Sequence, residues 1–243
     1  GFIGPEAFRK GLNRYLTAHA YGSTASRHLW EALEAACDQP ITRMMKGWIG
    51  QPGHPLLEVR RKQHRLHLHQ RRFSYLEGAA DANWLVPVNI RLFGPGQRQR
   101  TLQVVMEDPD LEIHVDEEVE AYKINDGESG FYRTWYHDEE NLDSLGGKIR
   151  DKTLSAEDRW GLASDWEALL KAGVIGWERY LQLLDHFSEE DRLLPAAQVI
   201  QNLHRLFIVA PQVRKERIRI AARHFLQKRL ADIGYAPEKG ESH

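Results

Sequence analysis

The sequence predicts a multi-domain fold with both α and β structure, in which an antiparallel β-sandwich lies between two helical segments. The spacing of apolar residues changes from the helical period to short extended runs and then back to the helical period. The 243 residues, of which 42% are hydrophobic, are enough for two or three cores without a disulfide or a metal. We assign residues 1–53 to a helical segment, 54–137 to the β-sandwich and 138–243 to an α-helical solenoid of the armadillo or HEAT type.

Three helices are predicted in residues 1–53, because apolar residues recur there at i, i+3, i+4 and i+7. These positions are Phe8, Leu12, Tyr15 and Leu16, then Leu29, Trp30, Leu33 and Cys37, then Ile41, Met44, Met45, Trp48 and Ile49. Pro5 suits a first helical turn, and Pro40 interrupts the second helix. Cys37 is the one cysteine, and we expect it to be a buried, unreactive thiol.

Short strands separated by turn residues are predicted between residues 54 and 137. They cover Leu56–Val59, Arg65–Gln70, Trp84–Arg91, Thr101–Met106, Leu111–Val115 and Tyr132–Tyr136. Gly-, Pro- and Asp-rich turns lie at 94–96, 108–110 and 126–127. The stretch 127–130 lacks the G-K-[ST] sequence of a phosphate-binding loop and lies between strand signals, so we predict a hairpin turn there.

Helical spacing returns after Tyr136. Ser155 followed by Asp158 resembles a capping box at a helix start, and Gly173 is placed to end that helix. Further apolar faces comprise Tyr180, Leu181 and Leu184, then Leu203, Leu206 and Phe207, then Ile218, Ala222, Phe225 and Leu226. These faces predict paired antiparallel helices, which is the basis for the solenoid prediction.

The charge balance argues against nucleic acid or an anionic membrane as a partner, since 33 Lys and Arg nearly cancel 35 Asp and Glu. The basic tracts 60–62 and 214–219 are adjacent to or interrupted by glutamates, which favours solvated faces. The sequence has no run of eighteen apolar residues and does not begin like a signal peptide, and its single cysteine suits a reducing compartment. We expect a cytoplasmic protein.

No metal or catalytic site is predicted from the residues themselves. A zinc peptidase would need H-E-x-x-H, and the sequence contains neither that motif nor two histidines four residues apart. His67 and His69 would share one face of a strand, opposite Leu66 and Leu68. We interpret that face as the polar side of a half-buried strand, and a metal-binding module built on the two histidines remains the weaker alternative. The acidic stretch 107–120 alternates like a strand, which argues against a calcium site.

Several stretches nevertheless resemble the aminopeptidase N family of zinc metallo-aminopeptidases (gluzincins), in the same order as in that family. They are Phe8–Leu12 with Tyr15, Leu16, His19–Tyr21, Leu29 and Trp30; Met44–Trp48 with Gln51–Pro55; Gln70–Phe73 with Trp84–Pro87; Lys123–Asn125 with Gly130–Arg133 and Tyr136; and Leu154–Gly173. Five such stretches in the right order cover nearly the whole chain, and the match at Lys123–Tyr136 is the most specific of them.

The resemblance implies that residues 1–53 are the helical C-terminal end of a catalytic domain, and that the helical domain walls a substrate chamber. The family's G-x-M-E-N loop, H-E-x-x-H helix, third zinc ligand and catalytic tyrosine would all precede Gly1, so no catalytic or metal-binding residue is assigned and substrate-binding residues stay unknown. The parent protein would be a hydrolase that uses zinc. We expect this segment to hold no zinc, to be inactive by itself, and to be truncated after His243 as well.

The expected partners are therefore the missing N-terminal half of the parent enzyme and, in the intact enzyme, peptide substrates. Residues 1–53 would expose a face that the rest of the catalytic domain normally covers, which predicts some self-association. The alternative function is a stand-alone, non-catalytic protein-interaction scaffold that uses the same sandwich and solenoid.

Overall fold

The structure is a computed structural model that describes residues 2–76, 78, 82–116 and 118–234. The chain divides into two compact units, Gly1–Asp138 and Glu139–His243. In the described residues, the first unit contains three α-helices and two β-sheets, and the second contains α-helices and no β-strand. A mixed α and β fold is thus confirmed.

The first unit begins with the three predicted helices, α1 (Gly4–Ala18), α2 (Ser26–Glu34) and α3 (Ile41–Gly50). Helices α1 and α2 pack closely at Gly11, which has no side chain. A Cβ added there would lie 2.8 Å from the Cα of Leu33. Cys37 is only half-buried, which corrects the expected full burial. The reason is that α2 ends at Glu34, so Cys37 lies beyond the helix, where its thiol donates to the Leu33 carbonyl at 3.2 Å.

The part of this stretch that the structure describes contains seven strands: β1 (Pro55–Lys62), β2 (Arg65–Arg72), β3 (Val86–Phe93), β4 (Gln99–Met106), β5 (Asp110–His114), β6 (Ala121–Ile124) and β7 (Arg133–Tyr136). They form a four-stranded sheet in the order β5-β2-β1-β7 and a three-stranded sheet in the order β4-β3-β6. The predicted strands are all present, with ends shifted by a few residues. Strand β6 was not predicted, because it has only four residues and carries a lysine at its third position.

Two predictions about these sheets are wrong. The sheets are not wholly antiparallel, because β7 pairs with β1 in the parallel direction, with Leu56 opposite Arg133. The stretch 127–130 is not a hairpin turn either, because β6 pairs with β3 in one sheet and β7 pairs with β1 in the other. The segment between β6 and β7 therefore carries the chain from one sheet to the other.

The second unit consists of α4 (Glu139–Arg150), α5 (Ala156–Lys171), α6 (Trp177–Leu184), α7 (Leu193–Val209) and α8 (Gln212–Ile233). Helix α5 is its most buried helix and contacts α6 and α7, while α8 packs on α7. Helix α5 is therefore the central packing element of this unit. The armadillo- or HEAT-type repeat stays a prediction.

Helix α5 has both of its predicted ends. The Ser155 hydroxyl accepts the backbone N–H of Asp158 at 3.1 Å, which satisfies one free donor of the first turn. At the other end Gly173 has φ +71°, its N–H donates to the Leu170 carbonyl at 3.0 Å, and the Val174 N–H donates to the Leu169 carbonyl at 2.9 Å. This pair of bonds is a Schellman motif, which favours glycine at the left-handed position. In the described part of the chain, no helix combines the length and apolar character that crossing a membrane requires.

Replacement of two glycines of the helical unit by alanine should change the free energy of unfolding in opposite directions. Gly173→Ala places a Cβ on a left-handed residue and should lower the free energy of unfolding by about 1 kcal/mol. Gly147→Ala, inside α4 where the new Cβ meets nothing within 4 Å, should raise it by about 0.5–1 kcal/mol. Urea denaturation of both variants measures the two changes. Equal effects of the two substitutions would contradict the assigned helix end.

Candidate functional site

The segment between β6 and β7 is organised around a buried charge. Lys123 on β6 is 1% exposed, and its ammonium group donates three hydrogen bonds. The acceptors are the carbonyl of Ile124 at 2.8 Å, the carbonyl of Asn125 at 3.2 Å and a carboxylate oxygen of Glu128 at 2.7 Å. A lysine is tolerated in such a place only when it is paired and its protons have acceptors. The segment therefore closes around Lys123.

Asn125 fixes the shape of the same segment. It is buried and left-handed, with φ 61°, a conformation that asparagine adopts more easily than most residues. Its side-chain amide donates to Glu128 and to the Gly130 carbonyl, both at 3.1 Å, and its side-chain oxygen accepts the Gly130 N–H at 2.7 Å. Glu128 is left-handed as well, with φ 50°. Backbone strain of this kind persists where surrounding bonds enforce it, and is common at functional positions.

Two buried tyrosines join the sheets beside this segment. The rings of Tyr122 on β6 and Tyr136 on β7 are 5.9 Å apart. The Tyr136 oxygen accepts the Ile124 N–H at 2.8 Å, and burial raises the pKa of Tyr136 to about 12. Tyr122 donates to the Asp138 carboxylate, and burial together with that carboxylate raises the pKa of Tyr122 far above its ordinary range. Both phenols therefore stay neutral at physiological pH.

An aromatic cluster, Trp48, His54, Phe73 and Phe131, lies at the end of the segment. Phe131 is 73% exposed, and its ring centroid lies 6.2 Å from that of Trp48 and 5.3 Å from that of His54. His54 also contacts Phe73 at 5.3 Å, and the guanidinium of Arg133 covers Phe73 at 5.3 Å. Burial, and then the positive charge of Arg133, lower the pKa of the His54 imidazole below its ordinary value.

The predicted face of His67 and His69 is confirmed as the outer side of β2, with Leu66 and Leu68 buried behind it. Each imidazole is paired with a carboxylate of the neighbouring strand β5. Nδ1 of His67 lies 3.0 Å from Glu112, and Nδ1 of His69 lies 2.8 Å from Asp110. Within residues 2–76, 78, 82–116 and 118–234, no group of three or more His, Cys, Asp or Glu is placed to hold a metal ion.

A second buried charge pair organises the helical unit. Arg159 on α5 forms a two-pronged bond with Glu190, with Nε to Oε2 at 2.7 Å and Nη2 to Oε1 at 2.9 Å. Glu190 also accepts the backbone N–H groups of Asp191 and Arg192, at 3.1 and 3.0 Å. The pair thereby anchors the connection between α6 and α7 to α5. Sequence reasoning missed it, because nothing local relates two residues that lie so far apart in the chain.

An apolar surface of the helical unit lies along α7 and α8, and we call it the α7–α8 surface. It encloses a pocket of about 350 Å³ lined by Ile200, Leu203, His204, Phe207, Ile218, Arg219, Ala222 and Leu226. The nearby basic tract of α8 is solvated as predicted, since Arg214, Arg217 and Arg219 are exposed and Lys215 is half-buried. The guanidinium groups of Arg214 and Arg217 lie over the Trp177 ring at 4.8 and 5.1 Å, and the Lys215 ammonium lies over Phe207 at 5.1 Å.

Removal of the buried ammonium should destabilise the first unit severely. Lys123→Met leaves the Glu128 carboxylate without its buried partner, so we expect the free energy of unfolding to fall by about 3–5 kcal/mol. The control is Arg9→Met, which breaks an ion pair to Glu6 whose two side chains are both exposed, and which should leave the unfolding midpoint nearly unchanged. Urea denaturation measures both. Similar small losses in the two variants would show that the Lys123 network contributes little.

The stability of the first unit should depend on His54 below pH 7. The pKa of His54 is lowered in the folded protein from its ordinary value of 6.5, so the unfolded chain takes up this proton first as the pH falls. The contribution of the neutral His54 to the free energy of unfolding is complete above pH 6.5. It is lost as the pH falls below that value. The variant His54→Phe keeps an aromatic ring but cannot take up the proton. Between pH 7 and pH 5, its free energy of unfolding should fall less than that of the unaltered protein. Identical pH profiles of the two proteins would refute this.

Comparisons with known proteins find two family matches in this chain. Residues 121–243 match the ERAP1-like C-terminal domain, and residues 1–48 match the Peptidase family M1 domain. The chain is 30% identical over 241 residues to Tricorn protease-interacting factor F2 of Thermoplasma volcanium, covering 99% of this chain and 28% of that protein.

Two further relatives are named as aminopeptidases. Leucyl aminopeptidase of Saccharolobus solfataricus is 26% identical over 210 residues, covering 86% of this chain and 25% of that protein. Aminopeptidase M1-A of Oryza sativa subsp. japonica is 28% identical over 249 residues, covering 100% of this chain and 28% of that protein. The chain thus spans little more than a quarter of the length of these relatives. It belongs to the M1 aminopeptidase family and corresponds to the part of those proteins that contains the ERAP1-like C-terminal domain.

Proposed function

We propose that this chain is the structural and substrate-chamber portion of a zinc-dependent aminopeptidase that removes N-terminal residues from peptides, and that the chain is inactive by itself. The observation that carries the proposal is the combination of two findings. The chain matches the M1 family at both of its ends, and its sequence contains no H-E-x-x-H with which to bind zinc and activate water.

Zinc belongs to this proposal as the cofactor of the intact enzyme. The residues of this chain do not fit it, because each of the two neighbouring histidines, His67 and His69, is paired with a carboxylate of β5 and no third ligand joins them in the described ranges. A catalytic zinc needs three protein ligands and an open position for water. We therefore assign no catalytic step to a residue of this chain.

The contribution of the chain would be architectural. Residues 1–53 would form the helical end of the catalytic domain, 54–137 a β-sandwich, and 138–243 a solenoid that walls the chamber. The buried pairs Lys123–Glu128 and Arg159–Glu190 support this role, because each fixes a connection between elements. A rigid wall suits a chamber that must hold a peptide in one position.

The proposal is tested by hydrolysis of fluorogenic aminoacyl amides, with and without added zinc. This chain should show no turnover above buffer, while leucyl aminopeptidase of Saccharolobus solfataricus serves as the positive control. The chain extended by the sequence that precedes it in its own gene should be active and sensitive to a chelator. Robust, chelator-sensitive turnover by the isolated chain would overturn the proposal.

The second candidate function is a non-catalytic protein-interaction scaffold. Two observations favour it: the α7–α8 surface is apolar and carries cations, and one relative is named for its interaction with the tricorn protease. The same assay separates the two functions. If the extended protein were also inactive towards every amide, the scaffold would be the better explanation.

A further inference from the structure

A pocket of about 280 Å³ lies within the first unit, between α3 and the segment that joins β6 to β7. Its lining is mostly aromatic and apolar and contains no charged side chain among the described residues that form it. The lining residues are Phe2, Met44, Met45, Trp48, Pro87, Asn89, Ser129, Gly130, Phe131 and Tyr132. A ligand that enters it must be uncharged, because a charge there would lose its hydration without gaining a partner.

Tyr132 gives this pocket a polar group in need of a partner. The residue is 6% exposed, and its hydroxyl proton finds no acceptor among the residues that the structure describes. Its ring lies against Gly130, where an added Cβ would come within 2.1 Å of a ring carbon. The backbone N–H of Asn89 lies near the phenol oxygen without forming a hydrogen bond of normal geometry, and it offers nothing to the phenol proton. A buried donor without an acceptor costs about 1–3 kcal/mol.

The other polar side chains of the lining are already engaged. The Asn89 amide donates to the Ser129 hydroxyl at 2.8 Å, and the Asn89 oxygen accepts from Gln103 at 3.0 Å. Ser129 in turn donates to the Asp126 carbonyl at 3.3 Å. Asn89 keeps a second amide N–H, whereas Tyr132 is the buried polar side chain of the lining whose hydroxyl has no hydrogen-bond partner among the described residues.

We propose that this pocket binds an uncharged aromatic group that carries a neutral carbonyl, with the carbonyl oxygen accepting the Tyr132 hydroxyl. The volume suits this ligand, since a cavity of roughly 150 Å³ holds a benzene ring and the remaining space accommodates an amide. Met44 and Met45 supply flexible thioethers that adapt to an aromatic ring, while Trp48 and Phe131 supply ring contacts. The site is independent of zinc and of the proposed aminopeptidase function.

Methionine methyl NMR tests the proposal with the full chain, because the sequence contains three methionines. Two of them, Met44 and Met45, line the pocket, while Met106 on β4 is fully buried and outside the lining. The probe is N-acetyl-L-phenylalaninamide, an uncharged ring with neutral carbonyls. Titration should shift the Met44 and Met45 methyl signals in a saturable manner and move Met106 less.

The variant Tyr132→Phe isolates the hydrogen bond. It removes a hydroxyl that lacks an acceptor, so the protein should fold as before, while affinity for the probe should fall about 2–10-fold, the effect of one neutral hydrogen bond. The matched control is Tyr21→Phe, the same change on a fully exposed residue, which should leave affinity unchanged. The proposal is overturned if the Met44 and Met45 signals do not respond at millimolar probe, or if Tyr132→Phe binds as tightly as the unaltered protein.

The same chemistry could come from a free small molecule or from a phenylalanine inside a peptide, and a second probe separates these sources. A capped pentapeptide with phenylalanine flanked by two glycines on each side presents the same ring and carbonyl within a chain. Binding of both probes, weakened in both cases by Tyr132→Phe, identifies a site for a peptide side chain. Binding of the single capped residue alone, with the same Tyr132 dependence, identifies a site for a small molecule.

Discussion

The arrangement of the two sheets depends on the burial of the Lys123 ammonium group. A charge removed from water costs several kcal/mol unless its protons all find acceptors, and here the acceptors are supplied only if the chain after β6 curls back over the lysine. The left-handed Asn125 makes that curl possible, and its amide then holds Gly130. The path of the chain from one sheet to the other thus follows from the need to satisfy one cation.

The segment that closes around Lys123 also forms one side of the aromatic pocket. Glu128 belongs to the charged network, whereas the next four residues, 129–132, line the pocket. The two properties are linked physically, because a rigid backbone is what keeps Phe131 exposed beside Trp48 and His54 and keeps the Tyr132 hydroxyl away from other acceptors. In the helical unit the Arg159–Glu190 pair has a similar role, since it ties a connecting segment to α5.

Features that depend on neighbours in sequence could be predicted, and those that depend on distant partners could not. The buried Leu66 and Leu68, the Ser155 cap and the helix end at Gly173 follow from local spacing and local hydrogen bonds. The parallel pairing of β7 and the Lys123 network involve residues whose proximity no local pattern encodes. The family was identified from ordered stretches and not from the chemistry of any residue. The pocket at Tyr132 was not foreseen, because an unpaired hydroxyl leaves no signal in a sequence.

The parallel pairing of β1 with β7 has a consequence for how the first unit is made. Leu56 and Arg133 lie side by side in the sheet, yet everything between β1 and β7 must be synthesised and placed before they can meet. Until then β1 presents one row of unpaired backbone groups, which is the kind of edge that recruits strands from other molecules. Long-range pairings of this type also form late. Until residue 133 has been synthesised, the growing chain therefore carries an open sheet edge, and during this period it is prone to aggregation.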